Sequence, residues 1–226
     1  DNPSANAVFW GGWDKKFFQG NLSHFKVVDP FYWSIPLEHF KIGDEVLLSA
    51  STPQGSSYLQ SRASLDARTP KAIVDTGTTF FTAESELFEK ISDKIGTSKC
   101  SEVTEKSHPE ITFRLTDSGG KPVDFVLNNM QYMTQSQDGS VCSPAFMRID
   151  IPSEHGPAMV LGEVFLRHYF SIFNRGDGAD DHAIVSFARS AHGNETVRAL
   201  KRMTHSQPGF LSAHNRAKAQ NRYGGA

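Results

Sequence analysis

Apolar and polar residues alternate over short stretches along most of the chain, and clusters of turn-forming residues separate those stretches. Phe25-Lys26-Val27-Val28, Ile111-Thr112-Phe113-Arg114-Leu115, Phe170-Ser171-Ile172-Phe173 and Ala183-Ile184-Val185-Ser186-Phe187 each carry the pattern of a half-buried β-strand. Asp117-Ser118-Gly119-Gly120, Gln137-Asp138-Gly139 and Asn174-Arg175-Gly176-Asp177-Gly178 favour tight turns between strands. Arg175-Gly176-Asp177 is read as part of such a turn rather than as an adhesion motif. Two segments change the period. After Thr82, which suits a helix N-cap, Glu84 and Glu86 favour a first turn, and Leu87, Ile91 and Ile95 repeat every four residues up to a stop at Gly96. A shorter helix is expected from Glu163 to His168. The pattern predicts a mainly β protein with two or three short helices and no internal repeat.

Residues 49–64 hold six Ser with Pro53 and Gly55 and no apolar period, which predicts an exposed loop. The stretch from Ala191 lacks a sustained apolar stripe and is expected to be partly disordered. The chain divides on this reading into a body, 1–190, and an extension, 191–226. At 226 residues, with 38% apolar residues, 11% aromatics and 17 Phe, the body is large enough to build a core of rings. Arg198, Lys201, Arg202, Arg216, Lys218 and Arg222 face only Glu195 in the extension, so a basic tail follows an acidic body. An acidic body disfavours nucleic acid, and the scattered tail charges without interleaved aromatics are read as solvated or self-docking. No apolar run approaches the ~20 residues of a membrane-spanning helix, so no stable membrane insertion is expected. Asp1-Asn2-Pro3 opens the chain without a basic or apolar targeting pattern.

Cys100 and Cys142 are the only cysteines. Two cysteines without a His-x-x-His or His-x-x-x-His partner cannot make a four-ligand zinc site, so no metal is expected. They are either two buried thiols or one disulfide closing a loop of about 43 residues. Such a bridge is worth about 4 kcal/mol in the chain-entropy model and implies an oxidising compartment. The sequons Asn21-Leu22-Ser23 and Asn194-Glu195-Thr196 mark candidate glycosylation sites of the same compartment.

The segment with chemical content is Ala72-Ile73-Val74-Asp75-Thr76-Gly77-Thr78-Thr79. A short apolar strand runs straight into an Asp, a hydroxyl, a Gly and two more hydroxyls. Asp-Thr-Gly-Ser/Thr arises by chance in roughly one such chain in a hundred. Taken alone, the residues leave two readings open: a surface turn or helix cap, and a catalytic loop. In the second, an Asp at the end of a buried strand is held rigidly, Gly77 lets backbone approach, and the hydroxyls and amides fix the plane of the carboxylate. Two such carboxylates at hydrogen-bond distance share one proton and act together as general acid and base on a water attacking a peptide carbonyl.

A string of motifs in order resembles the C-terminal lobe of pepsin-like aspartic endopeptidases. Phe9-Trp10-Gly11-Gly12-Trp13-Asp14 is similar to the family's Phe-Gly-Gly-x-Asp. Phe17-Phe18-Gln19-Gly20-Asn21-Leu22 with Val27-Val28 resembles its Tyr-Tyr-x-Gly-x-Leu strand and Pro-Val partner. Tyr32-Trp33-Ser34-Ile35 and Ile42-Gly43 resemble the next strand and turn, and Asp75 to Thr79 resembles the second Asp-Thr-Gly loop. Val160-Leu161-Gly162-Glu163-Val164-Phe165-Leu166-Arg167-His168-Tyr169-Phe170 is similar to the Ile-Leu-Gly-Asp-x-Phe-Leu-Arg-x-Tyr-Tyr segment, and Ile184 to Ala188 to the closing strand.

The resemblance implies the C-terminal lobe of a bilobal acid-protease fold. It implies that Asp75 is one of two catalytic aspartates and that Thr76 is the buried hydroxyl that ties the two Asp loops together across the lobe interface. It implies that Gly77, Thr78 and Thr79 orient the carboxylate and bind extended substrate backbone, that Leu161-Gly162 supports the loop, and that Cys100 and Cys142 pair. The implied reaction is hydrolysis of polypeptide without metal or organic cofactor, on the secretory route, outside the cell or in an acidic vesicle. Three departures qualify it. Only one Asp-Thr-Gly is present, so the dyad needs an N-terminal lobe from elsewhere, such as a separate processed chain, and this chain alone is expected to be inactive. Glu163 stands where the family has Asp, an exchange expected to bear on the site's pH response. The extension 191–226 runs past the family's usual end. A homodimer joining two copies of Asp75, and a non-catalytic lobe that binds peptide or protein, are the alternatives.

Overall fold

The computed structural model describes residues 7–29, 31–50, 69–150, 157–179 and 182–206. The strands are β1 (Phe18–Lys26), β2 (Ser34–Ile42), β3 (Glu45–Ser49), β4 (Lys71–Val74), β5 (Phe81–Ala83), β6 (Ser98–Lys99) and β7 (Ile111–Thr116). They continue as β8 (Pro122–Leu127), β9 (Met133–Gln135), β10 (Val141–Pro144), β11 (Phe146–Arg148), β12 (Ala158–Leu161), β13 (Tyr169–Asn174) and β14 (Ile184–Ser190). Four helices interrupt them: α1 (Ser85–Lys94), α2 (Asn129–Tyr132), α3 (Glu163–Leu166) and α4 (Asn194–Ser206). The protein is mainly β, as its period predicts. The expected loop at 49–64 lies, from residue 51 on, outside the described residues.

The eight-stranded sheet runs β11-β5-β12-β4-β2-β7-β8, with β3 beside β2. The apolar run Lys71-Ala72-Ile73-Val74 places β4 in its interior, because a strand covered on both faces needs no polar alternation. β4 pairs in parallel with the equally buried β12, Leu161 opposite Val74, and antiparallel with β2, Ser34 opposite Ile73. β7 and β8 form a hairpin whose turn is tied by Asp117 Oδ1, which accepts from the amides of Gly119 and Lys121 at 2.8 Å each. The abundant phenylalanines meet beneath this sheet. Phe113 lies 4.9 Å from Phe40, 5.2 Å from Phe81 and 6.1 Å from Phe165 between ring centroids, and Phe165 stacks on Tyr169 at 4.7 Å. Cys100 and Cys142 are joined by a disulfide beside the small sheet β6-β10-β9.

α1 buries Leu87 and Ile91 with Ile95 just beyond its end, as the four-residue repeat requires. Its start differs from expectation. Thr82 is not its cap: it is buried inside β5, where its Oγ1 accepts from Val160 N–H at 3.1 Å and so knits β5 to β12. The helix begins at Ser85, whose N–H and hydroxyl both donate to the Asp150 carboxylate at 2.7 Å. These bonds, the Ser85 amide first, hold the Asp150 carboxyl below its ordinary range. Asp138, in the β9–β10 turn, is pulled down to about 2 by the Ser136 hydroxyl at 2.6 Å and by the amide and hydroxyl of Ser140. A lowered folded-state pKa gives stability that is complete above the unfolded value of about 4 and disappears only as pH falls through the folded value. Asp150→Ala is therefore expected to lower Tm at pH 6 and still at pH 4, with the deficit shrinking as pH falls further. A deficit that closed above pH 4 would contradict this account.

Chain contacts divide the molecule into one unit of Leu22–Phe187 and another of Asp1–Asn21 with Ala188–Ala226. In the second unit, Phe17 and Phe18 are buried, Trp13 meets Phe18 edge-on at 5.4 Å, and Ala191 N–H donates to the Phe17 carbonyl at 2.9 Å. α4 covers 13 of the residues that the pattern left as partly disordered. Val197, Leu200 and Met203 recur every three residues, a narrow stripe, and Leu200 is 9% exposed. Residues 207–226 lie outside the described residues. No helix among the described residues is long and apolar enough to cross a membrane.

Candidate active site

Asp75 follows directly on β4 and is positioned by its neighbours' backbones. Val74 N–H donates to the Trp33 carbonyl at 3.0 Å on one side, and Asp75 N–H to the Leu161 carbonyl at 3.3 Å on the other. Both carboxylate oxygens are engaged by the same loop. Gly77 N–H donates to Oδ1 at 2.8 Å and the Thr78 hydroxyl to Oδ2 at 2.5 Å. The plane of the carboxylate is thereby set, while Asp75 stays half-buried. A Cβ at Gly77 would stand 3.2 Å from Oδ1, so any larger residue there would push the carboxylate aside by a few tenths of an ångström.

The far side of the loop is fixed by α3. Glu163 N–H donates to the Thr78 carbonyl at 2.8 Å and Val164 N–H to the Thr79 carbonyl at 3.0 Å, so the free amides of a helix start satisfy the carbonyls of the loop. Gly162 makes this possible, because a Cβ at that position would overlap the carbonyl oxygens of both Thr78 and Phe80. The side chain of Glu163 is directed elsewhere. Its Oε1 accepts from Arg167 Nε at 3.1 Å and from the terminal guanidinium nitrogen at 2.8 Å, so this residue reaches the loop through its backbone.

Thr76, Gly77 and Thr79 are exposed and Thr78 is half-buried, so the loop from Asp75 to Thr79 is presented to solvent while its ends are locked in the sheet. Asn21, on β1, and Asn194, at the start of α4, are both exposed. Among the described residues no three His, Cys, Asp or Glu side chains group in a way that would hold a metal ion. Two contributors escape a reading of the chain by motif. Asp150 holds the start of α1 from 65 positions away in sequence, and the Trp33 carbonyl holds the last residue of β4. Neither has a local signature, because both act across strands. What the arrangement can do chemically is offer one oriented carboxylate, able to take or give a proton, at the exposed end of a rigid sheet.

Comparison with known proteins follows the same lines. The family model described as Eukaryotic aspartyl protease matches residues 1–187. Aspartic protease 3 of Toxoplasma gondii is 32% identical over 210 residues, covering 91% of this chain and 29% of that protein. Cathepsin E-A of Xenopus laevis is 32% identical over 187 residues, covering 78% of this chain and 41% of its own length. Pepsin A of Rhinolophus ferrumequinum is 28% identical over 186 residues, with 78% and 42% covered. The chain thus spans less than half the length of each of these relatives.

Proposed function

Because the chain belongs to the eukaryotic aspartyl protease family, we propose that it is the C-terminal lobe of a bilobal aspartic endopeptidase. Asp75 is one carboxylate of its catalytic dyad, and an N-terminal lobe, as a separate processed chain or the preceding part of the same one, brings the other. The observation that carries this reading is the Asp75 carboxylate at the end of a buried strand, with each oxygen fixed by a donor of its own loop. Two carboxylates brought together cannot both ionise, and this is general for aspartic proteases. The pair holds one proton in acid. One oxygen then takes a proton from the attacking water while the shared proton passes to the substrate carbonyl, and the tetrahedral intermediate collapses with proton return to the leaving amine.

Thr76, exposed in this chain, is the hydroxyl that meets the Asp loop of the N-terminal lobe. Gly77 and Thr78 orient Asp75, and the exposed residues Gly77 and Thr79 of the loop meet extended substrate. No metal or organic cofactor enters the reaction. The substrate is a polypeptide with apolar side chains about the scissile bond. The Cys100–Cys142 disulfide supports an oxidising, secretory location, outside the cell or in an acidic vesicle, where Asn21 and Asn194 would carry glycans.

Native mass spectrometry of the protein purified without digestion tests the assembly. The expected result is this lobe joined, covalently or not, to a different lobe of comparable size, with cleavage of unfolded protein in acid. A lone lobe that cleaves peptides would overturn the need for a partner. A complete two-lobe protein that neither cleaves nor binds a statine-containing peptide would leave a non-catalytic binding lobe, and two identical copies with activity would make it a homodimer.

A further inference from the structure

Charge is divided unevenly between the two units of the chain. The unit of Asp1–Asn21 with Ala188–Ala226 holds nine Lys and Arg against three Asp and Glu, whereas Leu22–Phe187 holds 14 against 22. In the basic unit, five of the six described cations lie on α4 and on the 3-10 turn Lys15–Phe17 that it packs against. Arg198, Lys201 and Arg202 follow the i, i+3, i+4 spacing that puts side chains on one face of a helix, and all three are exposed. Lys15 and Lys16, also exposed, stand beside the helix in that turn.

A run of charge on a helix is ordinarily a solvated face. What distinguishes this one is that the helix is held side-on, with its other face already covered. Leu200 is buried, and Thr196, Val197, Ala199 and Met203 around it are half-buried. The chain is fixed just ahead of the helix, where Ala191 N–H donates to the Phe17 carbonyl at 2.9 Å. Gly193 then turns the chain into α4 at a φ of +107°, a conformation that side chains with a Cβ rarely adopt. Acidic side chains nearby are too few to neutralise the face. Glu195 is the acidic residue of α4, and Asp14 pairs with Lys16 at 3.5 Å.

We propose that the Arg198-Lys201-Arg202 face of α4 docks the protein, peripherally and reversibly, on an anionic lipid surface. The side of a helix is convex and offers no groove in which a particular residue or sugar could be sorted, so what this face presents is charge density. Against an isolated carboxylate an exposed cation gains little, because water and salt screen the pair. Against a sheet of anionic headgroups each cation contributes severalfold to binding. Docking without insertion follows from the packing, since the apolar stripe of α4 is already covered by the protein. The sequence after residue 206 keeps the same sign, adding Arg216, Lys218 and Arg222 with no Asp or Glu. The inference does not depend on the role of Asp75.

The test is co-sedimentation of the full-length protein that contains this chain with vesicles of phosphatidylcholine, alone or with a third of phosphatidylserine. Binding is expected to the mixed vesicles only, and to weaken as salt is raised. The triple variant Arg198→Gln, Lys201→Gln, Arg202→Gln is expected to bind about a hundredfold more weakly, because three surface cations are removed. Its thermal unfolding should stay in place, since all three side chains are exposed. The double variant Arg198→Lys, Arg202→Lys keeps the charge and is expected to bind as wild type does. Equal binding to both vesicles, or a triple variant that binds like wild type, would overturn the proposal. So would an equal loss in the lysine variant, which marks a structural role for the arginines. Retention on immobilised poly-glutamate without binding to mixed vesicles would overturn the lipid in favour of an acidic polypeptide.

Discussion

Asp75→Asn in the complete two-lobe protein is expected to lower kcat at acidic pH by ~10³-fold or more without a change in thermal stability. Asn keeps the size of the side chain and can still accept from Gly77 N–H, and its amide nitrogen can donate to the Thr78 oxygen with the hydroxyl turned away. What it cannot do is ionise or share a proton with a second carboxylate. The loss is therefore specific to chemistry, and a transition-state-like peptide inhibitor should lose affinity in parallel while the unfolding curve stays in place. Activity within about tenfold of wild type would remove Asp75 from the mechanism. A collapse of the fold would instead mean that the ionised form is structural.

Gly162→Ala is expected to act at the opposite level, on the framework before the chemistry. The added methyl meets two carbonyl oxygens that are themselves fixed, Thr78 by the Glu163 amide and Phe80 by its place before β5. Backbone cannot give way as a flexible side chain can, so relief requires breaking the bonds from Glu163 and Val164 to the loop. The expected cost is about 3 kcal/mol, at the upper end for overpacking, or a fall in Tm of ~6–12 °C for a chain of this size. Thermal unfolding by circular dichroism measures it directly. A Tm within about 2 °C of wild type would mean that the loop and α3 can separate freely, and the account of how Asp75 is held would fail with it.

The two substitutions illustrate how differently the parts of the site were legible. Asp75 is visible from residue types alone, because a carboxylate that follows an apolar strand and precedes Thr-Gly-Thr-Thr is an unusual local arrangement. Gly77 is visible for the same reason, as its contact lies within its own turn. Leu161-Gly162 could be linked to the loop only through family resemblance, since nothing within either segment shows that two backbones 87 positions apart, Val74 and Leu161, are paired along the parallel ladder of β12 with β4. Glu163 shows the limit of that resemblance. An acidic residue next to the loop invites an electrostatic role, yet Arg167, one helical turn on, takes its carboxylate.

Thr82 and Asp150 show the same limit in the fold. By local preference Thr82 is a good cap, and the hydrogen-bonding capacity that makes it so is used by Val160 instead. Asp150 has no helical context in sequence and caps α1 because the chain returns there. The stripe on α4 was too narrow to read against its charged neighbours, and Leu200 is its buried residue.

By itself, then, the sequence determined the strand-rich class, the place of the turns, the extent of the main helix beyond its first turn and the identity of the candidate carboxylate. Each of these depends on interactions within a few residues or on the two- or four-residue periods of a buried face. Tertiary structure alone decided how the carboxylate is framed, which side chain caps α1 and where Glu163 points. These depend on hydrogen bonds and steric limits between segments that meet only when β2, β4 and β12 are laid side by side, and contacts of that kind leave no periodic trace along the chain.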